Sequence, residues 1–151
     1  MSRIIELSNT VIKQPELLKE AVTYLNNLKN YGVINAKYSQ DESGRILSGQ
    51  FHMETPNTAF GRGSVFLRFE NRKAPVYDVN GMISNGHFRL MGDEDFKENK
   101  GLGTLLGDHY NAQVVKNHFE NLGQRVHMEI DGEGAISIEA EENELLAACS
   151  Y

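Results

Sequence analysis

The tripeptide His-Met-Glu occurs twice, as His52-Met53-Glu54 and His127-Met128-Glu129. In an extended strand, residues two apart share a face, so each copy would bury its methionine and present an imidazole beside a carboxylate. If the two strands are neighbours, two imidazoles and two carboxylates converge. Neutral imidazole and carboxylate both suit zinc or manganese, and a histidine titrating near neutral pH beside a carboxylate suits acid–base work. His52, Glu54, His127 and Glu129 are therefore the candidate ligands for a divalent metal, and the chemistry implied is metal-assisted hydrolysis or phosphoester cleavage. Phosphoesterases with two histidines on paired strands carry Ser or Thr two residues after each histidine. Here that position holds Glu54 and Glu129, so that activity is not assigned. The competing reading is two unrelated strands with solvated outward side chains.

A second set of residues suits anions. Gly61-Arg62-Gly63-Ser64 is a basic loop flanked by glycines. Successive backbone N–H groups in such a loop can form a nest, with the planar Arg62 fork added. The lysine and spacing of a Walker loop are missing, and an ordinary glycine-rich turn between strands competes with this reading. Arg68 and Arg89, with His87, would form a basic stripe if their strands share a face, and Phe66 or Tyr77 would add stacking surface. That arrangement suits an anionic ligand or, as a further reading, single-stranded nucleic acid. Against nucleic acid stands the net charge of −6, where a general binder carries a basic excess.

Other polar residues carry less. Gly101-Leu102-Gly103 before Thr104 reads as a glycine-rich approach to a helix, but no strand immediately precedes it, so the dinucleotide fingerprint fails. His109 and His118 are nine residues apart, two and a half helical turns, and point to opposite sides. Tyr110 reads as a core flank with its hydroxyl at the edge. Cys149 is a single cysteine with no basic neighbour to activate it. No catalytic residue is assigned, and no resident cofactor is expected beyond a divalent metal at the His-Met-Glu pair.

Positioning these residues falls to a chain with helix and strand periods in clear succession. Arg3 to Leu7 reads as a first strand. Pro15 opens a helix, where its missing N–H has no partner to lose, and Leu17, Leu18, Ala21, Val22, Leu25 and Leu28 make its apolar stripe. Val33 to Ser39, Ile46 to Glu54, Ser64 to Glu70, Val76 to Val79 and His87 to Met91 alternate as strands, with turn signals at Asn80-Gly81 and Asn85-Gly86. Asp93 to Lys100 reads as a charged loop. A second helix runs from Gly103 to Gly123, with Leu105, Ala112, Val115, Phe119 and Leu122 on one face. Val126, Met128 and Ile130, then Ile136 and Ile138, alternate with polar residues around Asp131-Gly132-Glu133-Gly134, a hairpin. An acidic tail starts at about 141.

The 151 residues suit one domain with a packed core. No apolar run reaches membrane-spanning length, no signal-peptide pattern is present, and the lone cysteine fits a reducing compartment, so a cytoplasmic protein is expected. The fold class expected is α+β: a single domain with an antiparallel or mixed sheet and two main helices on one face. The other sheet face is then open to water and is the surface on which to look for a site.

The layout resembles the small proteins of the plastid conserved-reading-frame-35 type, also described as domain of unknown function 1257, found in cyanobacteria, plastids, other bacteria and phages. The resemblance is carried by Pro15-Glu16-Leu17-Leu18-Lys19-Glu20-Ala21, Val76-Tyr77-Asp78-Val79-Asn80, Gly86-His87-Phe88-Arg89-Leu90, and the end from His109-Tyr110-Asn111 through Leu122-Gly123, Gln124 to Glu129, Asp131-Gly132 and Ala135-Ile136-Ser137-Ile138. The family's Ser-His-Phe opening reads Ser2-Arg3-Ile4 here, and its tryptophan-containing segment has no counterpart. The family implies no activity and no site residue. The expectation is thus a non-catalytic binding or accessory protein, for a protein partner or a small anionic ligand, with a homo-oligomer in view.

Overall fold

A computed structural model describes residues 3–28, 33–53, 63–69, 87–95, 97–131 and 134–142. The elements run β1 (Ile4–Ile12), α1 (Pro15–Leu28), β2 (Ile34–Gln40), β3 (Ile46–Met53), β4 (Gly63–Phe69), β5 (Phe88–Asp93), α2 (Lys97–Asn121), β6 (Arg125–Ile130) and β7 (Ile136–Glu141). The class is α+β. Contacts within the chain group into two units, residues 1–110 and 111–151. The expected strand at Val76 to Val79, both Asn-Gly turns, Gly32 and the chain after Glu142 lie outside the described residues.

In the first unit, five strands pair antiparallel in the order β1-β5-β4-β3-β2. Register places Leu90, Leu67, Gly49 and Tyr38 in one row and Gly92, Val65, Phe51 and Ala36 in the next. These rows form the inner face: Phe51, Val65, Leu67 and Leu90 have no exposed surface. The Tyr38 ring meets Phe51 edge-on at 5.7 Å and lies under the Lys19 ammonium of α1 at 5.6 Å. Burial pushes the Tyr38 phenol up to about 12.

Both helices cover that inner face. Leu18, Ala21 and Leu25 of α1 are fully buried, as the stripe from Pro15 predicts. On α2, a Cβ at Gly103 would stand 2.6 Å from Leu7 Cβ, and one at Gly107 would stand 2.6 Å from Ser8 Oγ and 2.8 Å from Thr10 Oγ1. The two glycines, one turn apart, let the helix backbone press against β1 where it bulges. Between the pairs Glu6–Met91 and Val11–Arg89, residues 7–10 oppose Leu90 alone. The Tyr24 ring of α1 lies 6.3 Å from His109 of α2, so the helices are neighbours.

The second helix starts earlier than its sequence suggests. Lys97 to Gly103 are helical, so Gly101-Leu102-Gly103 lies within α2 rather than before it, and Thr104 is no N-cap. Its buried face is Leu102, Leu106, His109, Tyr110 and Gln113, not the expected Leu105-to-Leu122 stripe. Leu106 and Val115 are nine residues apart, as are Tyr110 and Phe119, and nine residues carry a side chain to the opposite side of a helix. Val115 is 41% exposed and Leu122 beyond the helix end is 53% exposed. Gly123 ends the helix as expected, with positive φ, its N–H on the Glu120 carbonyl and the Gln124 N–H on that of Phe119.

The second unit holds the last turns of α2 and the β6·β7 hairpin, paired in register from Arg125–Glu141 to Ile130–Ile136. Arg125, His127, Glu129, Ser137, Glu139 and Glu141 are exposed, while Val126, Met128, Ile130, Ile136 and Ile138 are half-buried.

Candidate functional site

The outer face of the five-stranded sheet follows from the same alternation. Lys37, Gln50, His52, Ser64 and Arg68 point outward and are exposed; Phe66 and Arg89 beside them are half-buried, and Met91 is buried. The face is thus open over β2, β3 and β4 and closes toward β5. Register sets Arg68 directly opposite Arg89 and Phe66 directly opposite Met91. The Arg68 guanidinium sits over the Phe66 ring at 5.4 Å, a cation–π contact that holds the arginine flat on an apolar platform. The Arg89 Nε meets Glu6 Oε1 at 3.1 Å. His87 comes just before β5, two residues from Arg89. A direct cross-strand pair of like charges is unfavourable by itself, and the pair here sits within reach of one carboxylate.

The glycine loop is a different matter. Gly61 and Arg62 lie outside the described residues. Gly63 is buried, and a Cβ there would stand 3.1 Å from the Glu98 carbonyl oxygen and from the Leu102 side chain. The Ser64 N–H donates to Asn99 Oδ1 at 2.7 Å, and Asn99 Nδ2 donates to the Asp93 carbonyl at 3.0 Å. The described half of the loop is therefore a packing junction between β4, β5 and α2, with the Ser64 amide committed to Asn99. Asn99 is 2% exposed and carries no sequence signal, because an asparagine in a charged stretch reads as loop.

The two His-Met-Glu segments are not strand neighbours. His52 is on β3 in the five-stranded sheet, whereas His127 and Glu129 are on β6, which pairs with β7. Glu54 lies outside the described residues. Within β6 the i,i+2 geometry does join imidazole to carboxylate: His127 Nε2 and Glu129 Oε1 are 2.7 Å apart. The Glu129 hydrogen bond and charge, with Glu139 and Glu141 behind it, raise the His127 pKa above the ordinary imidazole value. Among the described residues, no three of His, Cys, Asp and Glu gather closely enough to hold a metal ion.

His109 and Tyr110, inside α2, are structural. Tyr110 is 3% exposed, and its hydroxyl accepts the backbone N–H groups of Lys13 and Gln14 at 3.0 and 3.1 Å. It satisfies donors at the start of α1 that no preceding turn can satisfy.

No protein family, no curated protein and no solved structure matches the chain. Among the described residues, no helix is long and apolar enough to cross a membrane.

Proposed function

We propose that this is a non-catalytic binding protein that takes an anionic group, on a small ligand or an acidic segment of a partner protein, at the outer face of its five-stranded sheet. The observation that carries the reading is the Arg68–Arg89 pair, opposed in register on an uncovered part of the sheet, with Phe66 beneath one guanidinium. Planar guanidinium groups present donor forks that match carboxylate and phosphate. A bound anion would also relieve the repulsion between the two cations. Lys37, exposed on β2, adds a third positive charge to the same face.

Isothermal titration with inorganic phosphate, mononucleotides and a glutamate-rich peptide tests this. Saturable binding is expected for one of them, weakened at least about tenfold by Arg68→Ala and by Arg89→Ala, the loss of one charge-assisted contact. No binding by any of the three, or binding unchanged in both variants, overturns it. Binding only to single-stranded oligonucleotides, falling steeply with salt, would move the reading to nucleic acid. Zinc or manganese binding lost in both His52→Ala and His127→Ala would restore the metal-assisted hydrolase.

A further inference from the structure

The β6·β7 hairpin stands apart from that anion site. A two-stranded hairpin alone is at best marginally stable in water. None of its strand residues is buried, although five of them form an apolar face. Its edges also differ from those of the main sheet. There, β1 carries its four-residue bulge, and the edge of β2 carries Lys37 and is held at its start by Asn26, whose side chain exchanges two hydrogen bonds with Ile34. Bulges, lysines and side-chain caps blunt strand edges. Strand β6 has neither a bulge nor a proline, and among the described residues it pairs with no strand but β7.

Backbone phase determines what the outer edge of β6 offers. The Asp131 N–H donates to the Ala135 carbonyl, so alternation along the ladder gives β7 the backbone groups of the odd-numbered residues of β6. Those of the even-numbered residues, with Val126 and Ile130 at the ends, turn to the other edge. The side chains of the odd-numbered residues form a charge gradient along one face: Arg125, His127, Glu129, then Asp131. An antiparallel copy of the same strand reverses that gradient and is complementary to it.

We propose that β6 pairs edge to edge with β6 of a second copy of this chain, antiparallel about a two-fold axis at position 128, making a four-stranded sheet from two hairpins. In this register Arg125 faces the partner's Asp131 and His127 faces the partner's Glu129, each pair twice. The two apolar faces join into one, and the interface is isologous, as a two-fold axis requires. Backbone bonds supply the pairing and the charge order fixes its direction. The edge of β7 offers no such match, since its only charges are Glu139 and Glu141.

Sedimentation velocity on the full chain should show a dimer at micromolar concentration; a monomer throughout overturns the proposal. Val126→Pro removes an N–H from the pairing edge only and should give a monomer. Ala140→Pro, at the position directly across on β7, should stay dimeric. Equal behaviour of the two proline variants also overturns it. A charge test is independent of folding losses: His127→Glu and Glu129→Lys should each weaken the dimer at least about tenfold, and mixing the two should restore a heterodimer, because Glu at 127 then faces Lys at 129. Failure of the mixture to dimerise, where wild type does, rules out this register.

Discussion

The side-chain oxygen of Asn99 accepts the backbone N–H of Ser64 at 2.7 Å. With the second bond from Asn99 to the Asp93 carbonyl, one buried asparagine on α2 closes the ends of β4 and β5 as a further strand would. Asn26 on α1 does the same for Ile34 at the start of β2. Each helix thus supplies an amide whose donor and acceptor replace a missing strand partner, and this sets the register that brings Arg68 opposite Arg89.

Replacing Asn99 by leucine keeps the volume and removes both bonds. An orphaned buried backbone group costs about 1–3 kcal/mol, so Asn99→Leu should destabilise the first unit by about 2–5 kcal/mol in urea unfolding. The Ser64 amide should lose its protection from hydrogen exchange. Unchanged protection would show that this bond does not hold the β4 end.

The glycines of α2 make the opposite case, where an absent side chain holds the fold. The obstacle to a methyl at Gly103 is the Cβ of Leu7, fixed to its own backbone, at 2.6 Å. No rotamer change moves it. Gly103→Ala should therefore destabilise by about 1–3 kcal/mol through overpacking, against about 1 kcal/mol gained in helix propensity. The neighbouring Thr104→Ala, exposed on the same helix, should stay within about 0.5 kcal/mol of wild type. Thermal melts of the two variants check the contrast.

How far the chain could be read in advance follows from the same residues. The α1 stripe from Leu17 to Leu25 and the hairpin from Val126 to Ile138 keep one period over their whole length, and both were legible. Helix α2 was legible as a helix but not in its buried face. Its first turns bury Leu102, Leu106 and Tyr110, while the apolar residues of its last turns, Val115 and Phe119, lie on the other side. A single stripe drawn through both halves is bound to mislead. The helix start was hidden because Gly101 and Gly103, poor helix formers, are there for close approach to β1. On the outer face, alternation alone put Phe66, Arg68 and Arg89 outward, but which residue stands opposite which depends on register, and Asn99 and the bulge of β1 set that without a sequence signal.

Tyr110 offers a test at long range in the chain. Its hydroxyl accepts two backbone donors at the start of α1, so Tyr110→Phe removes one oxygen and leaves the Lys13 and Gln14 amides short of a partner. The loss should be about 1–3 kcal/mol, seen as a lower urea midpoint with unchanged slope. A tyrosine that only filled space would tolerate phenylalanine at no cost.

Two histidines give acid and alkaline behaviour of opposite sign. His109 is 2% exposed, and burial pulls its pKa down to about 4 from 6.5. Between those values the unfolded chain binds the proton and the folded chain does not, so stability is complete above about 6.5 and falls as the pH drops toward 4. The loss reaches on the order of 3 kcal/mol, at 1.36 kcal/mol per pH unit. His127, with its pKa raised by Glu129, contributes in the other direction: its stabilisation is complete below 6.5 and fades as the pH rises through the folded value. The window from 4 to 6.5 therefore belongs to His109. Urea unfolding across it should show stability rising with pH in wild type and a flatter profile in His109→Gln, whatever the absolute loss from the substitution. Parallel profiles for the two proteins would mean that His109 takes up its proton without leaving the core.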